Sequence, residues 1–90
     1  MKLRPAVQLF AEQMELQLRN NDHKTNDFEE ECDIVARVVE ELAEFLRACV
    51  GCDKSIKGEA ADVANFLCML VKWHYPGYPS INEKAKENEE

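Results

Sequence analysis

Two short acidic stretches carry the residues best suited to chemistry. One reads Glu40-Glu41-Leu42-Ala43-Glu44 and the other Glu59-Ala60-Ala61-Asp62-Val63-Ala64-Asn65. Residues three apart share a helix face, so Glu41 projects with Glu44 and Glu59 with Asp62. Carboxylates gathered this way repel one another unless a cation lies between them. Their hard oxygens suit Mg²⁺ or Mn²⁺.

The apolar residues around each stretch show where the acids point. Ile34, Val35, Val38, Leu42, Phe45 and Cys49 recur at helical spacing. At about 100° per residue, Glu41 lies about 20° beyond the Ile34 edge of that stripe and Glu44 about 60° further round. In the second stretch Glu59 falls among Val63, Phe66 and Leu70, inside the stripe, and Asp62 flanks it beside Trp73. Acids in a first helical turn complement the helix dipole. That accounts for the sign of Glu59 and Asp62 but not for the apolar neighbours of Glu59, since a carboxylate on a core face is costly unless compensated.

Three helices are expected to position these groups. Pro5 suits a first helical turn, and Val7, Phe10, Ala11, Met14 and Leu18 repeat at three and four, predicting a helix to about Arg19. Residues 20–27 are polar and turn-rich, hence a loop. Asp27-x-x-Glu30 resembles a capping box, and Glu29, Glu30, Glu31 and Asp33 suit the first turn of a second helix that runs to about Val50. Gly51 suits a C′ position with positive φ. Asp53 or Ser55 is available as the next N-cap, with Gly58 near the start of the third helix. That helix continues through Leu67, Met69, Leu70 and Trp73 and stops at Tyr75-Pro76-Gly77-Tyr78-Pro79. Residues 80–90 are expected to be a frayed helix or polar tail. Folding back near residue 52 brings Glu44 level with about residue 60, so the expected fold is all-α, with a central antiparallel acidic hairpin.

Bulk properties narrow the functional classes. Ninety residues make one domain at most, and so short a chain buries a modest core. Three apolar stripes leave surface to cover, so self-association is expected. The net charge of −7 argues against a nucleic-acid partner. No apolar run is long enough for a membrane span and no signal-peptide pattern opens the chain, so a cytoplasmic location is expected. Cys32, Cys49, Cys52 and Cys68 are then expected as free, small buried hydrophobes rather than disulfides. Cys49-x-x-Cys52 has metal-type spacing but lacks two further ligands. Arg37, one turn before Glu40 and Glu41, is expected to be their salt-bridge partner, and Trp73 to pack. No Gly-rich phosphate loop is present.

Glu-Glu-x-x-Glu, fourteen intervening residues, then Glu-x-x-Asp resembles the signature of the MazG-like, all-α nucleoside triphosphate pyrophosphohydrolases. The run from Leu3-Arg4-Pro5 through Phe10-Ala11-Glu12 to Asn21-Asp22-His23-Lys24 is similar to short phage-encoded members, and the resemblance spans roughly residues 3–74. After Lys24 the chain reads Thr25-Asn26-Asp27-Phe28, where such relatives often carry Gly and Trp. The resemblance implies Mg²⁺ (or Mn²⁺) held by Glu41, Glu44, Glu59 and Asp62. Asn65 matches a position that helps hold the nucleotide, while His23 and Lys24 would meet the triphosphate. The implied reaction cleaves a nucleoside triphosphate, with a mild preference for deoxynucleotides, to the monophosphate and pyrophosphate. Glu40, or one of the ligands such as Glu41, would orient the attacking water. A homodimer or homotetramer would complete the bundle.

Other classes remain open at this level. A di-iron carboxylate bundle wants Glu-x-x-His pairs, and this chain has Glu-x-x-Glu and Glu-x-x-Asp. A non-catalytic helical interaction module would treat the acids as surface. A relative that binds nucleotide without cleaving it would share every motif.

Overall fold

The computed structural model describes residues 1–22, 30–51 and 55–85. Among these residues there are three α-helices and no strand: α1 (Pro5–Asn20), α2 (Glu31–Val50) and α3 (Ile56–His74). None of the described helices is long and apolar enough to cross a membrane.

Each helix boundary has a local cause. Pro5 occupies the first turn of α1, where a missing N–H leaves nothing unsatisfied. At the other end the Asn21 side chain donates to Gln17 O at 2.9 Å, so a side-chain amide closes the last turn. Glu30 is the N-cap of α2, in extended conformation with no capping bond from its side chain. Asp27, the expected start of a capping box, lies outside the described residues. Glu31 and Asp33 in the first turn and Arg47 in the last match the helix dipole at both ends.

One glycine departs from expectation and another gains a contact the sequence did not show. Gly51 has φ −82° and ψ −1°, ordinary right-handed backbone rather than the positive φ that favours glycine. Its N–H still closes the helix on Arg47 O at 3.0 Å, so α2 ends without a left-handed residue. Gly58 lies inside α3, which begins two residues earlier after Ser55, an N-cap that makes no side-chain bond. A Cβ at Gly58 would stand 3.2 Å from Gln17 Oε1. Glycine here lets the α1 side chain approach α3. Beyond Tyr75 the chain turns, with Tyr78 N bonded to Tyr75 O at 2.8 Å. The described tail is not helical, and Lys84 reaches back to Asp22 at 3.5 Å.

α3 is the element on which the others rest. It packs against α2 and against α1, whereas α1 and α2 do not pack directly on each other. Among the described residues, Ile34 and Ala48 of α2 and Ala61 and Met69 of α3 are the buried apolar ones, and no large side chain is fully buried. The expected α2 stripe is therefore only partly inside. Ile34 is buried and Val38 and Phe45 are half-buried, but Val35, Leu42 and Cys49 are exposed. On α1, Val7 and Phe10 are exposed while Ala11, Met14 and Leu18 are half-buried. Trp73, expected to pack, is also exposed.

Ala61 is 0% exposed at the centre of this small core. Enlarging a filled site forces neighbours off their rotamers at about 1–3 kcal/mol. Ala61→Leu is expected to lower the urea unfolding midpoint accordingly, measured by circular dichroism at fixed protein concentration.

Candidate active site

The three helices enclose a cavity of about 350 Å³. Gln17, Leu18 and Asn21 of α1 form one wall and Arg37, Glu41 and Glu44 of α2 the other. α3 supplies Glu59, Asp62 and Asn65, with Phe66 and Met69 beneath. Four carboxylates and one guanidinium thus line one space.

Three of the acids converge. Glu41 is buried, Glu59 half-buried and Glu44 exposed, and each offers a carboxylate oxygen within 4.8 Å of the other two. At that spacing two unit charges repel by about 3 kcal/mol for an effective dielectric near 20, less on the solvent side at Glu44. The consequence is clearest at Glu41. Burial first, and the nearby Glu44 second, push its pKa from the ordinary 4.5 to about 7, with Asp62 and Glu59 adding to the rise. Arg37 opposes the shift. Its Nη2 donates to Glu41 Oε1 at 2.9 Å and its Nη1 to Glu40 Oε2 at 2.6 Å, while the guanidinium stacks 5.2 Å from the Phe66 ring centre. Arg37 is the ion-pair partner the spacing predicted.

Asp62 is held from α1. Gln17 Nε2 donates to Asp62 Oδ1 at 3.2 Å, and Gln13 Nε2 donates to Gln17 Oε1 at 3.1 Å. The second bond fixes the amide orientation, so the NH₂ end of Gln17 is the end presented to the carboxylate. Gly58 leaves room for this arrangement. Gln13 and Gln17 were not singled out by the sequence pattern. The available signal was two amides one turn apart, which on a surface helix usually face water.

Asn65 is 4% exposed. Its Nδ2 donates to Met14 O at 3.2 Å, joining α3 to α1. Its Oδ1 is buried with no hydrogen-bond partner among the described residues. Leaving a buried acceptor unmatched costs about 1–3 kcal/mol, so this cavity wall presents an acceptor able to take a hydrogen bond.

The other expected site residues lie further off. Glu40 is exposed and does not line the cavity; it touches the site through Arg37. His23 and Lys24 lie outside the described residues, as do Cys52 and Lys54. Lys57 borders a neighbouring recess that shares Gln17, Glu59 and Asp62. Cys32 and Cys49 are exposed and Cys68 is half-buried, so none of the three is the fully buried hydrophobe expected. Burial raises the Cys68 thiol, and the Glu30 hydrogen bond raises Cys32, which disfavours the thiolate at both.

The donor set fits a divalent cation. Its groups are oxygens, its charge is negative, and a buried carbonyl oxygen beside it awaits a donor such as a coordinated water or a ligand N–H. No family model, curated protein or solved structure matches this chain. The site is therefore interpreted from its own residues.

Glu41 also makes stability depend on pH. Its folded pKa of about 7 exceeds 4.5, so the folded state binds the proton more tightly. The associated stability is complete below about pH 4.5 and is lost as pH rises through 7, by at most about 1.4 kcal/mol per pH unit for one proton. Urea unfolding of the metal-free protein is expected to show a falling midpoint from pH 5 to 8, and Glu41→Gln to flatten that fall.

Proposed function

We propose that this chain is a Mg²⁺-dependent nucleoside triphosphate pyrophosphohydrolase that releases a nucleoside monophosphate and pyrophosphate. The observation that carries the reading is the convergence of Glu41, Glu44 and Glu59 on a cavity that also holds Asp62 and the unmatched Asn65 Oδ1. The residue spacing that resembles the MazG-like enzymes agrees with it. α2 and α3 are read as an antiparallel hairpin, supported by Glu31 of the α2 start meeting His74 at the α3 end and by Glu44 meeting Glu59.

In this reading Glu41, Glu44, Glu59 and Asp62 hold Mg²⁺ or Mn²⁺. When bound, the ion would neutralise the phosphates and lower the pKa of the attacking water. The chain's own groups do the positioning. Arg37 holds Glu40 and Glu41 together, so one guanidinium orients both carboxylates proposed to handle the water. Gln17 restrains Asp62. Asn65 Oδ1 accepts a hydrogen bond from the bound molecule, and His23 and Lys24 are assigned to the triphosphate.

A second reading, a non-catalytic helical interaction module, draws on the exposed Val35, Val39, Leu42 and Leu46 of α2. The two readings separate in one assay. A panel of ribo- and deoxynucleoside triphosphates would be incubated with Mg²⁺ or with EDTA, assaying pyrophosphate and orthophosphate separately. Pyrophosphate release that needs Mg²⁺ and disappears in Glu59→Gln is expected. Orthophosphate alone, or no release by folded protein, would refute the proposal. Gln17→Leu is expected to lower the rate about ten- to a hundredfold, as loss of an outer-shell partner does, with the helical circular dichroism unchanged.

A further inference from the structure

Arg37 has more donors than its partners use. A guanidinium carries several N–H groups in a rigid fork and keeps its charge at any working pH. Nη1 donates to Glu40 Oε2 at 2.6 Å and Nη2 to Glu41 Oε1 at 2.9 Å. Among the described residues Arg37 makes no other hydrogen bond. Its side chain is 43% exposed and lines the cavity, where it is the only cation among the described lining residues. Facing it are Glu41, Glu44, Glu59 and Asp62.

Neutralising Glu41 takes one donor from any cation. Here a fork is held from three sides, by Glu40, by Glu41 and by the Phe66 ring 5.2 Å away, with unused donors on the cavity wall. Such a fork matches the paired oxygens of a phosphate. Because it is held before a ligand arrives, binding costs less side-chain freedom. Four carboxylates repel an anion, and Arg37 is the one lining group of opposite sign.

We propose that Arg37 contacts the substrate directly: its unused N–H groups receive phosphoryl oxygens of the bound triphosphate, while the two used ones keep Glu40 and Glu41 in place. The inference rests on the hydrolase reading for the identity of the anion, and adds to it a described side chain that meets the phosphates. Glu41 links the two functions. It accepts a hydrogen bond from Arg37 and belongs to the cluster with Glu44 and Glu59, so an oxygen on the guanidinium lies beside a carboxylate assigned to the ion. The competing role is purely positional, with Arg37 acting only through Glu41.

Inorganic tripolyphosphate is the probe that separates these roles, because it carries the phosphates without base or sugar. Wild type and Arg37→Lys would be titrated calorimetrically with Mn²⁺ alone, and then with tripolyphosphate in excess Mg²⁺. Lysine keeps the charge but not the fork, so Mn²⁺ affinity is expected to change less than about threefold. Tripolyphosphate affinity is expected to fall about ten- to a hundredfold, as for lost hydrogen bonds to a charged group. No binding of tripolyphosphate to wild type, or unchanged affinity in the variant, overturns the inference. So does a parallel loss of both affinities, because Arg37 would then act only through Glu41. A second measurement needs no variant. Phenylglyoxal modification of wild type, mapped by peptide, is expected to slow at Arg37 when tripolyphosphate joins Mg²⁺, and to stay constant at the exposed Arg19. Equal modification of Arg37 with and without the anion overturns the inference. Failure of the hydrolase reading is seen separately, as absence of pyrophosphate release from nucleotides, and leaves both tripolyphosphate measurements decisive for Arg37.

Discussion

Carboxylates held a few ångströms apart on the wall of a small cavity repel one another, and much of this structure is arranged around that repulsion. Glu41, Glu44 and Glu59 bring oxygens within 4.8 Å, and the cost is visible as the raised proton affinity of Glu41. One cation, Arg37, answers part of it from the same helix. Its ring contact with Phe66 anchors the guanidinium to α3. The negative charge that Arg37 leaves uncompensated keeps the proton affinity of Glu41 raised.

α1 contributes to this centre mainly through amides. Gln13 sets Gln17, Gln17 meets Asp62, and Asn65 returns a bond to Met14 O. These contacts join α1 to α3 on the side where α1 and α2 do not touch. The gap between α1 and α2 is the cavity. A tighter bundle, with α1 packed on α2, would bury more apolar surface and close it. The small core and the open site follow from one arrangement.

Much of this was legible in the residues. Glu41 and Glu44, three apart, and Glu59 among apolar neighbours, implied convergence, and the paired spacing of Arg37 with Glu40 and Glu41 implied the ion pair. Fold class and helix extents followed from periodicity. What escaped has physical reasons. A glycine three residues after an N-cap looks like a boundary, and only the Gln17 contact shows that Gly58 serves a close approach. Gln17 and Asn65 matter through a neighbouring helix, and single-helix periodicity does not encode that. Ile34, Val35, Val38, Leu42 and Phe45 form one broad stripe on a helical wheel. The structure divides it into an edge facing α3 and an uncovered edge, a division set by where α3 lies.

The central claim is that Glu41, Glu44, Glu59 and Asp62 form one divalent-cation site. Isothermal titration of the folded protein with Mn²⁺ at pH 8, on wild type and Asp62→Asn, tests it most directly. The account predicts saturable binding to wild type, clearly weakened in Asp62→Asn. Absence of saturable binding, or unchanged affinity in the folded variant, would contradict it.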